Sequence, residues 1–334
     1  MTGINSKRRS LLGVLTVANL VFLLLLYASE RFIAERCWLT TLVTYAPQQL
    51  FGLPVLVLLV WSVGRRHWKI ASMNAVAMLF FLVAVLGFSI PLHSRDHGAG
   101  PSVRVMTYNI HHMPRGVSSI ADEVKAARVD VVCFQEANSD GRGRDPKVEL
   151  TRLLTGWNHV SSGELAVFSR FPITGSKVHY PPVELSRVYL EVGLNVRGRR
   201  LIVIALHLST AADASSLAHH HGSTASYLRG STRVRSQQVN AVLEIARGIA
   251  GPIVIAGDFN TPPRGRIYRR IAGSFKDCFA YAGWGFGNTF RSDLPVMRID
   301  YIWAGDGLAP LHAEVLPLKG SDHRPVIADV CFTK

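Results

Sequence analysis

The sequence predicts a mixed α/β sandwich that follows a membrane domain of three transmembrane helices. Residues 1–100 hold three long apolar stretches, whereas residues 103–332 alternate short apolar strands with amphipathic helices and antiparallel hairpins. Several of these strands also end in a carboxylate, amide or imidazole side chain. We therefore expect a membrane domain over 1–92, a linker over 93–102 and a catalytic domain over 103–334.

The three apolar stretches have the length and composition of membrane spans. Residues 11–27 and 70–90 form stretches of 17 and 21 residues with few polar side chains, which suits a hydrocarbon core of about 30 Å. The stretch 46–63 has 18 residues, and Pro47 and Pro54 predict a kinked span. A re-entrant segment is the alternative there. A signal peptide is the alternative for the first stretch, but no clean cleavage site follows it.

The basic residues of the short loops predict the orientation of these spans. Three basic residues precede the first span, at positions 7–9, and three more separate the second and third, within 65–69. The other two loops balance arginine with acidic residues. Because cytoplasmic loops carry an excess of Lys and Arg, we expect a multi-pass protein of the cell membrane with a cytoplasmic N terminus. Residues from about 101 onward are then extracytoplasmic.

The chain is strongly basic and has few cysteines. The net charge of +14 divides into +6 for residues 1–100 (9 basic, 3 acidic) and +8 for the remainder (28 basic, 20 acidic). This charge suits an anionic partner, such as nucleic acid, a phosphorylated lipid or an anionic membrane surface, without selecting among them. The four cysteines lack the paired spacing of a zinc site, and Cys278 can pair with Cys331 in an oxidising compartment.

The first strands and helix of the catalytic domain follow directly after the linker. Residues 103–110 alternate apolar and polar side chains and read as a strand that ends at Asn109. A helix follows over 118–130, capped by Ser118 or Ser119. Residues 130–136 form a buried strand that ends in a carboxylate.

The remaining predicted elements continue this alternation to the end of the chain. A strand in "ELAVFSRFP" comes first, and "VYLEVGLNVRGRRLIVIALHL" then predicts two strands joined at an Arg-Gly-Arg turn. An amphipathic helix over 233–249 precedes three further strands. Those strands lie in "PIVIAGDFN", "MRIDYIW" and "SDHRPVIADVCF".

Polar side chains with metal or phosphate chemistry stand at or near the ends of these strands: Asn109, Glu136, His207, Asp258, Asn260, Asp300, Asp322 and His323. Strand ends and loops on a rigid scaffold are where chemistry is usually placed. Asp258 and Asn260 point to one side, because strand side chains alternate with period two. Cleavage of a phosphate ester needs a metal, an activated water and hydrogen-bond donors, and the set contains residue types that can bind the metal, activate the water and donate the hydrogen bonds.

Seven segments resemble, in order, the motifs of the endonuclease/exonuclease/phosphatase superfamily: "TYNI", "DVVCFQE", "LAVFSRFP", "ALHL", "AGDFN", "RIDYIW" and "SDHRPV". The resemblance covers residues 103–332. It implies a four-layer α/β sandwich, in which two packed mixed sheets are flanked by helices, and the activity of a divalent-metal phosphoesterase. Mg²⁺ is the implied cofactor, with Mn²⁺ as an alternative.

The resemblance also implies roles for the acidic and amide residues. Glu136 is the expected first metal ligand, because Mg²⁺ prefers carboxylate oxygens. Asn109 is expected beside it, through its amide oxygen or a bound water, and Asp322 is expected to complete the site. Asp258 would orient or deprotonate the attacking water, while Asn260 would hold a phosphate oxygen. An Asx turn is the structural alternative for the last two, and both roles can coexist.

Two histidines are expected to face the phosphate. By resemblance, His323 is the general acid/base and Asp300 fixes its tautomer. His207 would stabilise the phosphoryl oxygens, with Glu164 as a candidate for orienting its ring, although a buried core histidine is the alternative. A histidine at position 207 favours the branch that contains neutral sphingomyelinases, inositol phosphatases and secreted nucleases.

Weaker candidates for substrate binding lie in the loops. His111 and His112 follow the first strand, and Arg264 follows the "GDFN" motif. Each of them has a solvated loop or helix face as its alternative. The run 219–221 of three histidines lies in a polar insertion over 209–231, which we expect to be a flexible loop rather than a metal site.

The membrane domain narrows the substrate. A phosphoesterase tethered outside the membrane meets lipid phosphates at high local concentration, and the architecture resembles VanJ-type membrane proteins associated with teicoplanin resistance. That resemblance implies hydrolysis of a polyprenyl pyrophosphate such as undecaprenyl pyrophosphate. A sphingomyelinase-like phosphodiesterase and a surface-tethered nuclease are the rivals. A catalytically inactive anchor or sensor fits poorly, since the complete set of site residues is present.

Overall fold

The computed structural model describes residues 2–91, 100–111, 116–138, 145–181, 187–210 and 223–333. The chain divides into two compact units. The first comprises Met1–Phe88 with Arg264–Arg266, and the second comprises Ser89–Pro263 with Ile267–Lys334. The predicted linker core, His112 and the histidine run at 219–221 lie outside the described residues.

The N-terminal unit is helical. Its α-helices are α1 (Thr2–Ala28), α2 (Trp38–Tyr45), α3 (Leu53–Gly64) and α4 (Trp68–Phe80). Two helical stretches are long and apolar enough to cross a membrane, Leu11–Arg36 and Trp68–Val85. They share a small core of buried apolar side chains that includes Leu23, Val55 and Val85.

The middle apolar stretch is bent rather than gently kinked. Helix α2 and the helical stretch Gln48–Gly64 meet at an angle of 85°, so together they form either one broken span or a re-entrant loop. The break falls at Ala46–Pro47, whereas Pro54 lies in the first turn of α3. A proline is tolerated in a first turn because its missing N–H has no helical partner there. The unit therefore has two candidate spans, or three if the bent pair counts as one.

In its described ranges, the second unit contains twelve strands in two sheets. They are β1 (Ser102–Asn109), β2 (Val131–Gln135), β3 (Asn158–Ser162), β4 (Leu165–Ser169), β5 (Ile173–His179), β6 (Tyr189–Val196), β7 (Arg199–His207), β8 (Ile253–Asp258), β9 (Lys276–Asp277), β10 (Asp300–Ala304), β11 (Leu308–Val315) and β12 (Val326–Phe332). One sheet has the order β11-β12-β1-β2-β4-β3 and the other β5-β6-β7-β8-β10-β9. The pairs β1/β2 and β7/β8 are parallel, and the remaining neighbours are antiparallel.

The outer faces of both sheets are covered by the helices α5 (Gly116–Ala126), α6 (Pro146–Leu153), α7 (Thr224–Arg247) and α8 (Gly265–Ala272). A short helix, α9 (Cys278–Ala282), instead contributes Cys278 and Phe279 to the core between the sheets. The inner faces share one core, to which Val105 of β1 and Val203 of β7 both belong. Helices α5 and α6 pack on the first sheet, and α7 and α8 pack on the second. The expected four-layer α/β sandwich is confirmed.

Two helices begin earlier than the sequence suggests. Helix α7 starts at Thr224 rather than at 233, because the Ser223 side chain caps it by accepting from Ser226 N and Leu228 is buried beneath its first turns. The end of the predicted flexible insertion is therefore helical. Helix α5 starts at Gly116, which places Ser118 and Ser119 inside the helix instead of at its cap.

Local features of the sheets follow the sequence closely. Arg197 and Gly198 have φ values of 52° and 87° and close the β6–β7 hairpin at the predicted Arg-Gly-Arg turn. Cys278 and Cys331 are both buried, and in this structure they are free thiols rather than a disulfide. Cys331 contacts the carbonyl oxygen of Gly100.

Candidate active site

Strand register sets three candidate residues side by side in the second sheet. His207, the last residue of β7, pairs with Asp258, the last residue of β8. Asp258 in turn pairs with Asp300, the first residue of β10. All three side chains are buried. The sequence correctly groups these residues at one rim, although it places Asp300 within a strand rather than at its start.

Asn109 joins this row to the first sheet. Its Nδ2 donates to Glu136 Oε1 at 3.0 Å and to Asp258 Oδ2 at 3.1 Å. Its amide oxygen accepts from the main-chain N–H of His111 at 3.0 Å. The nitrogen of the amide, rather than the expected oxygen, therefore faces the carboxylates. In this geometry Asn109 orients Glu136 and Asp258 and connects the two sheets.

Glu136 lies at the open side of the site. It follows β2 with a left-handed φ of 54°, and about a quarter of its side chain is exposed (24%). The ring of His111 contacts its Oε2, and His207 Nε2 lies 3.7 Å from its Oε1. The predicted substrate residue His111 thus contacts the predicted metal ligand.

Asp258 and Asn260 form the Asx turn that the sequence offered as the alternative role. Asn260 N donates to Asp258 Oδ1 at 2.8 Å, and Asn260 has a left-handed φ of 47°. The turn directs Asn260 Nδ2 to the Leu208 carbonyl oxygen at 3.0 Å and to within 3.2 Å of His207 Nε2. Burial, and then the charge of Asp300, raise the pKa of Asp258 above its usual value, opposed by the nearby histidines.

His323 is held by Asp300. Its Nδ1 lies 2.9 Å from Asp300 Oδ2, and its Nε2 lies 3.9 Å from Asp258 Oδ2. Burial lowers the pKa of His323, but the charge and hydrogen bond of Asp300, together with the other nearby carboxylates, raise it to about 10. The ring of Phe290 packs 4.9 Å from the His323 ring, so this imidazole is fixed from two sides.

His207 is anchored by Glu164, the candidate named from the sequence, and by Arg187, which the sequence does not reveal. Glu164 Oε1 lies 3.2 Å from His207 Nδ1 and 3.1 Å from Arg187 Nη1. The Arg187 guanidinium also contacts the His207 ring. Burial raises the pKa of Glu164, but His207 and Arg187 outweigh it and lower the pKa below 4.5. Arg187 precedes β6 as a lone arginine, and its position directly before a buried strand is its one signal.

Asp322 contacts its own loop rather than Glu136. Its Oδ1 lies 3.1 Å from Ser321 Oγ, and its main-chain oxygen accepts from Ser292 N at 2.7 Å. Ser321 Oγ lies 3.0 Å from the main-chain oxygen of His111. Asp322 is therefore linked to the Glu136 side of the site through one serine.

A group of two buried aspartates and one buried histidine fits a divalent cation. Ligand atoms of Asp258, Asp300 and His323 all lie within 4.8 Å of one another. Among the described residues, Asp300 Oδ1 is buried without a hydrogen-bond partner, and a buried carboxylate oxygen of this kind favours a cation or water as its partner. The sequence assigns these three residues to catalysis and Glu136 to the metal. In the structure, carboxylate oxygens that could bind a metal lie on both sides of Asn109, those of Glu136 on one side and those of Asp258 on the other.

Two buried polar residues of α7 support the loops that carry the site. Arg235 Nη1 lies 3.4 Å from the Asn260 carbonyl oxygen and 3.3 Å from Thr261 Oγ1. One turn later, Gln238 accepts from Ser209 N at 3.0 Å and donates to Ser209 Oγ at 3.1 Å. Both side chains are fully buried. The loops after β7 and β8 are therefore fixed by the same helix.

Arg264 belongs to the N-terminal unit by its contacts, together with Arg266. Within that unit its Nε donates to the Thr44 carbonyl oxygen at 2.9 Å and lies 3.5 Å from Glu30 Oε1. The predicted substrate-binding residue is therefore engaged by this unit in the structure.

Comparisons with known proteins agree with this architecture. The model of the endonuclease/exonuclease/phosphatase family matches residues 106–323. The chain belongs to this family, whose members are hydrolases that act on phosphoester bonds and typically use a divalent metal. No curated protein sequence matches the chain significantly.

Solved structures of similar fold come from several organisms. A family protein from Beutenbergia cavernae has 23% identity and a TM-score of 0.55, with 69% of this chain and 72% of the other covered. A mannosyl-6-phosphatase from Bacteroides thetaiotaomicron has 18% identity and a TM-score of 0.56, with coverages of 69% and 100%. The catalytic domain of human nocturnin has 20% identity and a TM-score of 0.52, with coverages of 71% and 96%. These likenesses establish the fold.

Proposed function

We propose that this protein is an extracytoplasmic, membrane-anchored, Mg²⁺-dependent phosphoesterase that hydrolyses a lipid phosphate or pyrophosphate. The first candidate substrate is undecaprenyl pyrophosphate, which implies a role in cell-envelope metabolism and in resistance to glycopeptides such as teicoplanin. The observation that carries the proposal is the convergence of Glu136, Asp258 and His323 at one rim of a family hydrolase. The candidate spans in the same chain supply the link to lipids.

The residues of the rim divide the work of hydrolysis. Asp258 accepts a proton from the attacking water, since its carboxylate is fixed by Asn109. Asn260 and His207 donate hydrogen bonds to the phosphoryl oxygens, because the Asx turn places the Asn260 amide beside the imidazole. His323, oriented by Asp300, exchanges a proton with the leaving group.

The metal would lie on the Glu136 side of this arrangement, and Asp258, Asp300 and His323, which could also hold a cation, would then serve the proton transfers. Glu136 is the proposed first ligand, Asp322 completes the site, and Asn109 holds the Glu136 carboxylate in place. Bound Mg²⁺ supplies neutralisation of phosphate charge and a water of lowered pKa. Arg187 adds a fixed positive charge beside His207, which favours an anionic substrate.

The membrane part supports a lipid substrate. Two or three apolar helices in the same chain hold the hydrolase at a bilayer, where lipid phosphates reach a high local concentration. The basic balance of the residues after 100 suits an anionic headgroup.

A surface-tethered nuclease is the second candidate, because the same positive charge also suits nucleic acid. A substrate panel separates the two candidates. Purified full-length protein with Mg²⁺ is offered undecaprenyl pyrophosphate, sphingomyelin and DNA, and an Asp258→Asn preparation reports contaminating activity.

We expect phosphate release from undecaprenyl pyrophosphate, its loss in EDTA and its recovery with Mg²⁺. DNA cleavage without release from any lipid would overturn the proposal in favour of the nuclease.

A further inference from the structure

Five large apolar side chains are exposed among the described residues of the second unit, which carries the candidate active site and is called the catalytic unit below: Ile90, Val148, Tyr180, Trp284 and Leu294. Two of them, Trp284 (68% exposed) and Leu294 (71% exposed), lie on one segment, 284–294. Trp284 and Leu294 stand ten positions apart on this segment, and tryptophan is enriched at membrane–water interfaces.

This segment is fixed to the catalytic rim. Phe290 forms a β-bridge with His323 and packs its ring on the imidazole. Ser292 N and Oγ donate to the main-chain oxygens of Asp322 and Ser321, both at 2.7 Å. Leu294 follows Ser292 by two residues, so a surface that contacts Leu294 is held close to the active site.

The other end of the segment is fixed to the start of the catalytic unit. Ser89 N donates to the Gly285 carbonyl oxygen at 2.8 Å, and Gly285 N donates back to Ser89 at 3.0 Å. Ser89 stands only four positions after Val85, the last residue of the candidate span Trp68–Val85. The chain that continues from this span therefore enters the catalytic unit beside Trp284.

We infer that segment 284–294 is a bilayer-contacting surface, with Trp284 and Leu294 inserted at the level of the lipid headgroups. The partner is the lipid–water interface, because Trp284 and Leu294 are exposed and apolar and the segment begins where the chain arrives from an apolar helix. The exposed ion pair of Arg291 and Asp293 lies beside Leu294, at a position where charged side chains can meet the polar headgroups. The segment would then bring His323 to a phosphate that remains in the membrane. This inference rests on the proposed lipid-phosphate function.

Site-specific labelling tests the surface directly. In full-length protein carrying Cys37→Ser, which leaves three buried cysteines, Trp284→Cys and Leu294→Cys are each labelled with bimane. Val148→Cys is the matched control, since it is exposed to a similar degree (51%) but lies on α6. The proteins are placed in nanodiscs of phosphatidylglycerol and phosphatidylethanolamine with brominated acyl chains.

We expect brominated lipid to quench the labels at 284 and 294 at least about threefold more than the label at 148. Equal quenching at the three positions would overturn the inference. Protection of the two labels from aqueous iodide by DNA, without quenching by lipid, would overturn it in favour of a nucleic-acid surface.

An activity ratio separates this inference from the proposed function. In the double variant Trp284→Ser/Leu294→Ser, the ratio of rates on vesicle-embedded undecaprenyl pyrophosphate and on soluble bis-p-nitrophenyl phosphate should fall about tenfold or more. Val148→Ser should leave the ratio unchanged. Quenched labels without cleavage of any lipid would refute the substrate and keep the surface, whereas lipid cleavage with an unchanged ratio in the double variant would refute the surface alone.

Discussion

Asp258 contacts residues of the candidate site from both sheets. Its carboxylate lies within 3.1–3.9 Å of Asn109, His207 and His323, and its other oxygen closes the turn to Asn260. A group that touches both sheets and both histidines is the one whose loss should be felt most.

We predict that Asp258→Asn lowers kcat/KM by about 10²–10⁴-fold, because the amide cannot accept the proton of the attacking water. The measurement is hydrolysis of a soluble phosphodiester with saturating Mg²⁺, with the melting temperature as a check on folding. Asp306→Asn, at an exposed aspartate, is the control and should stay within about twofold. Near-normal activity of the Asp258 variant would remove Asp258 from the mechanism.

Glu164 gives a prediction for the pH dependence of stability. Its folded-state pKa is lowered below 4.5 by His207 and Arg187, so its ionised form stabilises the fold above about pH 4.5. This contribution is lost as the pH falls through the folded-state pKa. Glu164→Gln should therefore lower the free energy of unfolding by about 1 kcal/mol near neutral pH, and the difference from wild type should shrink in acid.

Urea unfolding between neutral and acidic pH measures this difference. Asp122→Asn, at an exposed carboxylate on α5, is the control and should show a small difference at every pH. A Glu164→Gln difference that grows as the pH falls would contradict the assigned direction of the pKa shift.

At the scale of secondary-structure elements, α7 does more than cover the second sheet. Its apolar face packs on the sheet through Val239 and Val242. On the same buried side, Arg235 and Gln238 reach the loops after β8 and β7. One helix thus sets the positions of both loops that border the proposed phosphate-binding residues.

Two neighbouring glutamines of α7 test this role. Gln238→Ala should lower the free energy of unfolding by about 1–3 kcal/mol, because Ser209 loses both hydrogen bonds to the Gln238 side chain. It should also lower kcat/KM through the displaced loop after His207. Gln237→Ala, at an exposed position of the same helix, should change stability by less than about 0.5 kcal/mol. Equal effects of the two substitutions in denaturant titration and in kinetics would rule out the supporting role.

The sequence predicts the elements that carry the site better than those at the sheet edges. β1, β2, β7 and β8 are buried on both faces, so each reads as an apolar run that stops at a polar residue. β3 and β5 are edge strands with mostly exposed side chains, and they have no such pattern. Arg187 could not be predicted as a site residue either, because a single arginine before a strand carries no periodic signal.

The sequence pattern also does not predict which residues of the two sheets lie close enough to contact each other. The motif order places Asn109 and Asp258 at one rim, but the hydrogen bond between them follows from how two sheets pack. For the same reason the orientation of the Asn109 amide, with its nitrogen toward Glu136, could not be expected from residue type alone.

At the scale of the whole molecule, the two units have separate cores. The helices of the N-terminal unit share buried residues with one another, while the sandwich has three clusters of its own. A phosphatase of similar fold has its whole chain covered by about two-thirds of this one. The sandwich therefore has what an independent domain requires.

We predict that a fragment of residues 100–334 folds without the apolar helices and hydrolyses a soluble phosphodiester at a rate within about threefold of the full chain. Circular dichroism, cooperative urea unfolding and Mg²⁺-dependent hydrolysis measure this, and the same fragment with Asp258→Asn is the control. A fragment that is soluble but lacks cooperative unfolding would show that the sandwich depends on the first hundred residues.

The hydrogen bonds from Asn109 Nδ2 to Glu136 and Asp258 have a consequence for folding. A chain in which both sheets have formed but have not docked would contain every proposed catalytic side chain and still lack the assembled site. Hydrolysis therefore requires that the two sheets be docked, and a chain with undocked sheets should be inactive toward phosphate esters. Enzyme activity during refolding should appear together with the closure of the two sheets, later than their secondary structure.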